Sequence, residues 1–213
     1  MIIVKPSYVI MNEIDGLKEL QHIEKIARVC YKSENRIDPS GESAKKMLAM
    51  LIRCKHEAML EHSHLAVKFI IDRGITHELI RHRIASFAQE STRYCNYAND
   101  KFGNQITVIE PFFYKDKPER YAAWKKGCEE AEKAYFELLK MGSTPQEARA
   151  VLPTSLKTEI TVSANYREWR NIFRLRCAPD AHPQIREIMI PLLHDLQKRI
   201  PIIFDDLQFE DIK

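Results

Sequence analysis

Residues 81–94 read Arg81-His82-Arg83-Ile84-Ala85-Ser86-Phe87-Ala88-Gln89-Glu90-Ser91-Thr92-Arg93-Tyr94, and no other stretch of the chain is as informative. Arg81, His82, Arg83 and Arg93 stand there among hydroxyl, amide and carboxylate side chains. Arginine keeps its charge and presents a planar fork of donors. Several such groups in one short span repel one another unless an anion lies between them. Phosphate is the candidate anion. A solvated basic helix end is the plainer explanation of an Arg-His-Arg triplet, and a second group of arginines around Arg176 weighs against it.

At 213 residues the chain can form one large domain or two small ones. No Gly/Ser/Pro-rich linker divides it, so a single domain over 1–213 is expected. A hydrophobic fraction of 45% and a charged fraction of 30% are ordinary for a globular protein. The net charge of +3 is too small to argue for nucleic acid. The positive charge is local instead, which argues for a discrete anionic ligand. Five cysteines without a Cys-x-x-Cys pair point to a reducing compartment and away from a metal-thiolate site. The start, Met1-Ile2-Ile3-Val4-Lys5-Pro6, lacks the apolar core of a signal peptide. No apolar stretch approaches bilayer-spanning length. The expectation is a soluble cytoplasmic protein.

Periodicity supplies the elements. Residues 2–11 predict a strand, 17–31 a helix with Leu17, Leu20, Ile23 and Ile26 on one face, and 40–55 a second helix. Leu65 to Ile71 predicts a strand, and Gly74 a break into a short helix over 75–83. Residues 106–109 predict a strand and 118–141 a long amphipathic helix. Thr144-Pro145-Gln146-Glu147 has the form of a helix start. Residues 157–164 alternate as a strand, and 166–176 and 183–199 predict helices, the latter containing Pro191. The acidic tail from Asp205 is expected to be peripheral. Helical and strand segments are mixed, giving an α+β or α/β chain.

In the helix over 166–176, Trp169, Ile172, Phe173 and Arg176 fall at i, i+3, i+4 and i+7, which places Arg176 in the apolar stripe. A guanidinium there is costly unless paired. It is either a buried structural ion pair or a charge held in a dry pocket for an anion. Arg167 and Asn171 share the opposite face, with Arg170 and Arg174 beside them. The histidine-rich runs 56–64 and 77–82 do not match His-Glu-x-x-His. His77 and His82 are roughly 140° apart round a helix, too far to grip one ion. Six scattered glycines exclude a Gly-rich phosphate cradle. Any phosphates must then be held by side chains from the set Arg81, His82, Arg83, Arg93, Arg149, Arg167 and Arg176. Ser91 has no nucleophile elbow around it and reads better as a hydrogen-bonding residue. Cys95 and Cys177 lie near the charged clusters and stay open as thiolates.

Arg-His-Arg, seven residues, Ser91, then Thr92-Arg93-Tyr94 resembles the signature of the flavin-dependent thymidylate synthases. Other segments agree in order: His56-Glu57…Leu60-Glu61-His62, Ala148-Arg149-Ala150-Val151-Leu152-Pro153, Asn165-Tyr166-Arg167…Asn171…Leu175-Arg176, and Asp180-Ala181-His182-Pro183-Gln184. The resemblance spans residues 50–190. The chain departs from the family's Asn-Glu at Ala88-Gln89, from its Gln at Glu78 and from its hydroxyl residue at Ala58.

The resemblance implies an α+β fold with a small central antiparallel or mixed sheet, assembled as a homotetramer whose active sites are shared between chains. It implies methylation of dUMP to dTMP with FAD, reduction by NADPH, carbon from 5,10-methylenetetrahydrofolate, and no enzyme nucleophile on the uracil. Neither nucleic acid nor membrane is implied as a partner. Carried over by position, Arg176 is the activating residue. Glu78, Leu79, Ile80, Arg81, Gln89, Glu90, Ser91, Thr92, Arg93, Arg149 and Arg176 would hold dUMP. Ala58, Arg81, His82, Arg83, Gln89, Asn165, Arg167 and Asn171 would hold FAD. A buried Arg176 would favour the anionic form of uracil by opposite charge. Three rivals compete. Aromatics interleaved with arginine over 166–174 suit an RNA-binding surface, although Trp169 and Phe173 share a face with Ile172. Another flavoprotein or methyltransferase on the same scaffold is the second, and a metal-dependent hydrolase using His56, His62 and His64 the third.

Overall fold

Pro6 divides the first predicted strand in two. The computed structural model, which describes residues 1–211, has β1 (Ile2–Val4) and β2 (Ser7–Ile10) where one strand over 2–11 is expected. Proline has no N–H to give a ladder. Helix α1 (Gly16–Tyr31) starts where the Asp15 carboxylate accepts the Lys18 N–H, and it buries Leu20, Ile23 and Ala27. Helix α2 (Glu42–Arg53) packs against α1 through Ala44, Leu48 and Leu51. There follow β3 (His64–Asp72), α3 (Arg73–Leu79), β4 (Ser86–Gln89), β5 (Thr107–Ile109) and α4 (Pro118–Lys140). The chain closes with α5 (Pro145–Ala148), β6 (Lys157–Asn165), α6 (Tyr166–Arg176) and α7 (Pro183–Arg199).

The class is α+β with small sheets, but the strands form two sheets rather than one central one. β1 pairs parallel with β5, Ile2 opposite Thr107 and Val4 opposite Ile109, and the other sheet has the order β2-β3-β6-β4. Helix α3 also differs from expectation. Gly74 lies inside it, because Asp72 caps two residues earlier by accepting the Ile75 N–H at 2.9 Å. It stops at Leu79 rather than Arg83, since His82 is taken by a side chain of α6 and β4 begins four residues later.

The chain divides into two compact units. The first comprises Met1–Tyr8, Lys68–Arg81 and Phe87–Thr161; the second comprises Val9–Val67, His82–Ser86 and the chain from Val162 on. In the first unit α4 lays Cys128 and Tyr135 into a core with Tyr97, Ile106, Val108, Ala148 and Leu156. The predicted start of α5 is real: the Glu147 carboxylate accepts the Thr144 N–H and hydroxyl at 2.8 and 2.7 Å. In the second unit Trp169, Ile172 and Phe173 of α6 are fully buried, and the Trp169 indole N–H donates to the Leu65 carbonyl at 3.0 Å. Phe204 meets the edges of Tyr166 and Phe173 at 5.9 and 5.7 Å.

The buried guanidinium of α6 is Arg170, 1% exposed, and not Arg176, which is half-buried. Arg170 donates to Glu57 Oε1 (3.0 and 3.1 Å), to both Asp206 oxygens (2.6 and 2.7 Å) and to the Ile203 carbonyl. The start of the tail is therefore not peripheral as its charge suggests: Asp206 is an ion-pair partner and Leu207 is buried, while residues 212–213 of the tail lie outside the described residues. Burial works to raise the Glu57 carboxyl. The hydrogen bond from Arg174 and the charges of Arg170 and Arg174 outweigh it and hold the group below its ordinary range.

Removing one partner of a buried ion pair strands the others. Arg170→Ala is expected to destabilise the protein by about 3–5 kcal/mol. Urea denaturation checks this: the midpoint should fall well below that of the wild type, while Lys45→Ala, on an exposed pair, should leave it almost unmoved.

Candidate active site

In the first unit the expected dUMP residues gather round β4, β6 and α3. Gln89 donates to the Thr76 and Thr158 hydroxyls at 3.3 and 3.4 Å. Arg73 donates to the Glu90 carbonyl and the Thr158 hydroxyl at 3.2 and 3.3 Å. Glu90 accepts from the Tyr97 hydroxyl at 2.8 Å and from Lys157 at 3.1 Å. Burial and the Glu90 carboxylate push the Tyr97 phenol up, so it stays a protonated donor. For Lys157, burial pulls downward, but the bonds and charges of Glu159 and Glu90 prevail and raise it.

The β4 strand continues into a turn in which the Ser91 hydroxyl accepts the Arg93 N–H at 3.3 Å. Among the described residues no histidine is hydrogen-bonded to Ser91. Arg149 donates to the Thr92 hydroxyl at 3.1 Å, which ties the 148–153 segment to the signature. Arg93 lies over the Tyr94 ring, 5.5 Å from its centroid. Glu78 is half-buried, while Ile80 and Arg81 are exposed. Leu79 is buried, so its side chain belongs to the core and only its main chain can meet a ligand.

The second unit holds Arg176 and most of the expected flavin residues. Asn165 caps α6, its side-chain oxygen accepting the Glu168 N–H at 2.8 Å. One turn on, Asn171 donates to both Glu168 oxygens at 3.3 Å, and Arg167 forms an ion pair with Glu61 at 2.5 Å. A cavity of about 510 Å³ has Glu57, Glu61, Asn165, Arg167, Asn171 and Arg174 among its walls. Three of the expected flavin residues thus converge on one cleft, because residues 167 and 171 are one turn apart on the exposed face of α6. Ala58 is exposed on the turn over 57–62 that carries Glu57 and Glu61. Arg83 is exposed and has no ion-pair partner among the described residues.

His82 does not share the exposure of its arginine neighbours. It is 4% exposed, with Nδ1 3.0 Å from Glu168 Oε1, and its Nε2 receives the Arg176 Nε–H at 3.0 Å. Burial, then the Arg176 charge, pull it below the ordinary imidazole range against the upward pull of Glu168.

Sequence reasoning missed Glu168, Arg73, Thr158 and Lys157. Only Glu168 had a local signal, three residues after Asn165 at a helix start. The aromatics of α6 are core, so their rings are not exposed for base stacking. Among the described residues no group of three or more His, Cys, Asp or Glu could hold a metal ion, and no helix is long and apolar enough to cross a membrane. Cys177 is fully buried, and burial pushes its thiol up to about 12. That excludes it as a thiolate.

Two outcomes are expected. Iodoacetamide at pH 8 should alkylate the exposed Cys30 and Cys54 in the native protein and leave Cys177 intact, as read by peptide mass spectrometry. Stability should also fall on acidification: a histidine lowered in the fold is held neutral above its unfolded pKa, and that contribution is lost as pH falls through the lower folded value. Chemical denaturation at pH 7.5, 6 and 5 should show this loss, reduced in His82→Gln.

The chain matches the family described as thymidylate synthase complementing protein over residues 14–202. A flavin-dependent thymidylate synthase from Corynebacterium glutamicum is 31% identical over 94% of this chain and 84% of its own length. One from Pyrococcus abyssi is 37% identical over 74% of this chain and 64% of its own. The fold resembles that of PolB, a UMP/dUMP methylase from Streptomyces cacaoi, with a TM-score of 0.80 at 21% identity over 96% of both chains. The cap and cleft of α6, the Ser91 turn and the match across residues 14–202 lead to one conclusion: the chain belongs to the thymidylate synthase complementing protein family, that of the flavin-dependent thymidylate synthases.

Proposed function

We propose that this protein is a flavin-dependent thymidylate synthase, which methylates dUMP to dTMP with FAD as cofactor and NADPH and 5,10-methylenetetrahydrofolate as co-substrates. The observation that carries the reading is a half-buried arginine, Arg176, held by a neutral histidine at the end of the helix whose exposed face lines the cleft.

The donors of the cleft suit a flavin nucleotide. Amide N–H groups of Asn165 and Asn171 match the polar edge of the ring system, and Arg83, Arg167 and Arg174 match diphosphate oxygens. Ala58 and the exposed Arg81 would add to the same cofactor contacts. When bound, the flavin supplies the hydride that completes the methyl group, after reduction by NADPH. The chain does the rest by placement and charge. Arg176 carries a permanent cation to the uracil and stabilises its anionic form. Arg93 and Arg149 hold the phosphate, Arg149 positioned by Thr92, and the Ser91 hydroxyl hydrogen-bonds the same ligand. Gln89, fixed by two threonines, and Glu90 complete the nucleotide contacts with Glu78 and the main chain at Leu79 and Ile80. No enzyme nucleophile is needed, in keeping with a Ser91 that has no histidine bonded to it among the described residues and a Cys177 that stays protonated.

The whole chain is read as one functional domain, and the working form as a cytoplasmic homotetramer with sites shared between chains. Exposed Ile84, Tyr94 and Leu175 beside the site residues support such an assembly contact. Neither nucleic acid nor membrane enters the reading.

Purified protein loaded with FAD and freed of excess should keep its flavin absorbance bands. dUMP should shift them, while dTTP and AMP at equal concentration should not. Absence of retained flavin would sink the reading. UMP tests the ribonucleotide alternative raised by the PolB likeness. Arg176→Ala should abolish dTMP formation with FAD still bound. Ser91→Ala should weaken dUMP binding about tenfold, equivalent to one hydrogen bond to a charged group, and change kcat less.

A further inference from the structure

Two hydrogen bonds put three side chains of the second unit in a line. Glu168 Oε1 stands 3.0 Å from His82 Nδ1, and the Arg176 Nε–H donates to His82 Nε2 across 3.0 Å. An arginine Nε–H can only donate, so Nε2 must offer a lone pair. The imidazole is therefore neutral with its proton on Nδ1, where it donates to the Glu168 carboxylate. Glu168 is held in turn by the Asn171 amide and by the α6 N-cap, where Asn165 accepts its N–H. His82 and Glu168 are 4% and 6% exposed, so water does not compete for either. Of the Arg-His-Arg triplet, only the middle residue turns inward, and both its ring nitrogens are engaged within the chain.

We propose that Glu168 and His82 are positioning residues for Arg176, holding its guanidinium by the Nε edge in the orientation that dUMP activation requires. The proposal rests on the synthase reading. An arginine side chain has many rotamers to lose. Charge stabilisation in a transition state works when the donor is already fixed before the reaction. Arg176 is the last residue of α6 and follows the exposed Leu175, so it lies at the edge of the helix packing. His82 supplies an anchor on the Nε edge, and Glu168 sets the tautomer that lets His82 accept. Protonation of His82 would place a hydrogen on Nε2 facing the arginine N–H and break the anchor. The charged groups bonded to the ring are Glu168 and Arg176, both from α6.

The test has two readouts. The first is ¹⁵N NMR of histidine-labelled, ligand-free protein, with the His82 signal assigned by its loss in His82→Gln. A ring protonated on Nδ1 and bare at Nε2 at pH 7.5 is expected, and a cationic or Nε2-protonated ring overturns the arrangement. The second is steady-state kinetics. His82→Ala should lower kcat about 100-fold, the scale of a misplaced reacting group. Measured at saturating FAD, its KM for dUMP should stay within about threefold, since the lost interaction acts on Arg176 in the transition state. His82→Gln, whose amide oxygen can accept from Arg176, should recover about tenfold of the loss. Glu168→Ala should fall between the two, and serves with His82→Gln if His82→Ala does not fold. An unchanged kcat in flavin-saturated His82→Ala, or a loss confined to FAD affinity, overturns the positioning role. Wild-type protein that makes no dTMP overturns the synthase reading, and the role in turnover with it. That result is distinct from active wild type with an equally active His82→Ala.

Discussion

Helix α6 is arranged around the burial of one permanent charge. Arg170 cannot shed its proton and is out of water, so the chain has to bring carboxylates to it. Glu57 arrives on the turn before β3 and Asp206 from the segment after α7. These two contacts stitch α6 to sequence more than a hundred residues upstream and more than thirty downstream. The rotation of α6 about its axis is set as a result. With Arg170 inward, Trp169, Ile172 and Phe173 enter the core, and Arg167, Asn171 and Arg174 are left on the cleft side. The cleft-lining face of the helix is a by-product of satisfying its buried cation.

The first unit solves a related problem with hydroxyls and a lysine. Threonines at 76 and 158 orient Gln89, and Glu90 is held between Tyr97 and Lys157. Local strand propensity in Ser86-Phe87-Ala88-Gln89 is modest; β4 exists because it is laid beside β6, with the Glu90 N–H bonded to the Glu159 carbonyl at 2.8 Å. The signature therefore changes character along its length. Arg81 to Arg83 is a loop, 86–89 a strand, and Ser91 to Cys95 a turn, and each piece faces a different neighbour.

Elements with a clean apolar period were legible: α1, α2, β3, α4, β6, α6 and α7 stand within a few residues of their predicted bounds. What periodicity missed depends on partners distant in sequence. The helical wheel put Arg176 in the apolar stripe and Arg170 beside the opposite face, yet the order of burial is the reverse. The stripe describes one helix face, while Arg170 is covered by the returning segment 203–206, and Arg176 lies where the core ends. Helix α3 lost its last turn because His82 is bonded to Glu168, eighty-six residues away. Pro6 was visible and its effect on a ladder underrated. For the site, the signature residues were legible through their resemblance to a family. Their supports, Arg73, Thr158, Lys157 and Glu168, lay outside that pattern, because a strand threonine or a helix-start glutamate looks the same whether or not it holds a neighbour.

The walls of the α6 cleft include Glu57, Glu61 and Glu168 alongside Arg167 and Arg174, and the cations are already engaged with carboxylates. An anion entering there takes over a partner instead of meeting a bare charge. The cleft accordingly projects little field into solvent, and an arriving dianion is not drawn in from a distance. Its affinity is a difference between two ion pairings, one with the resident carboxylate and one with the guest. Recognition of an anion there would be an exchange reaction, in which a ligand that presents two acceptors in the geometry of a carboxylate displaces one.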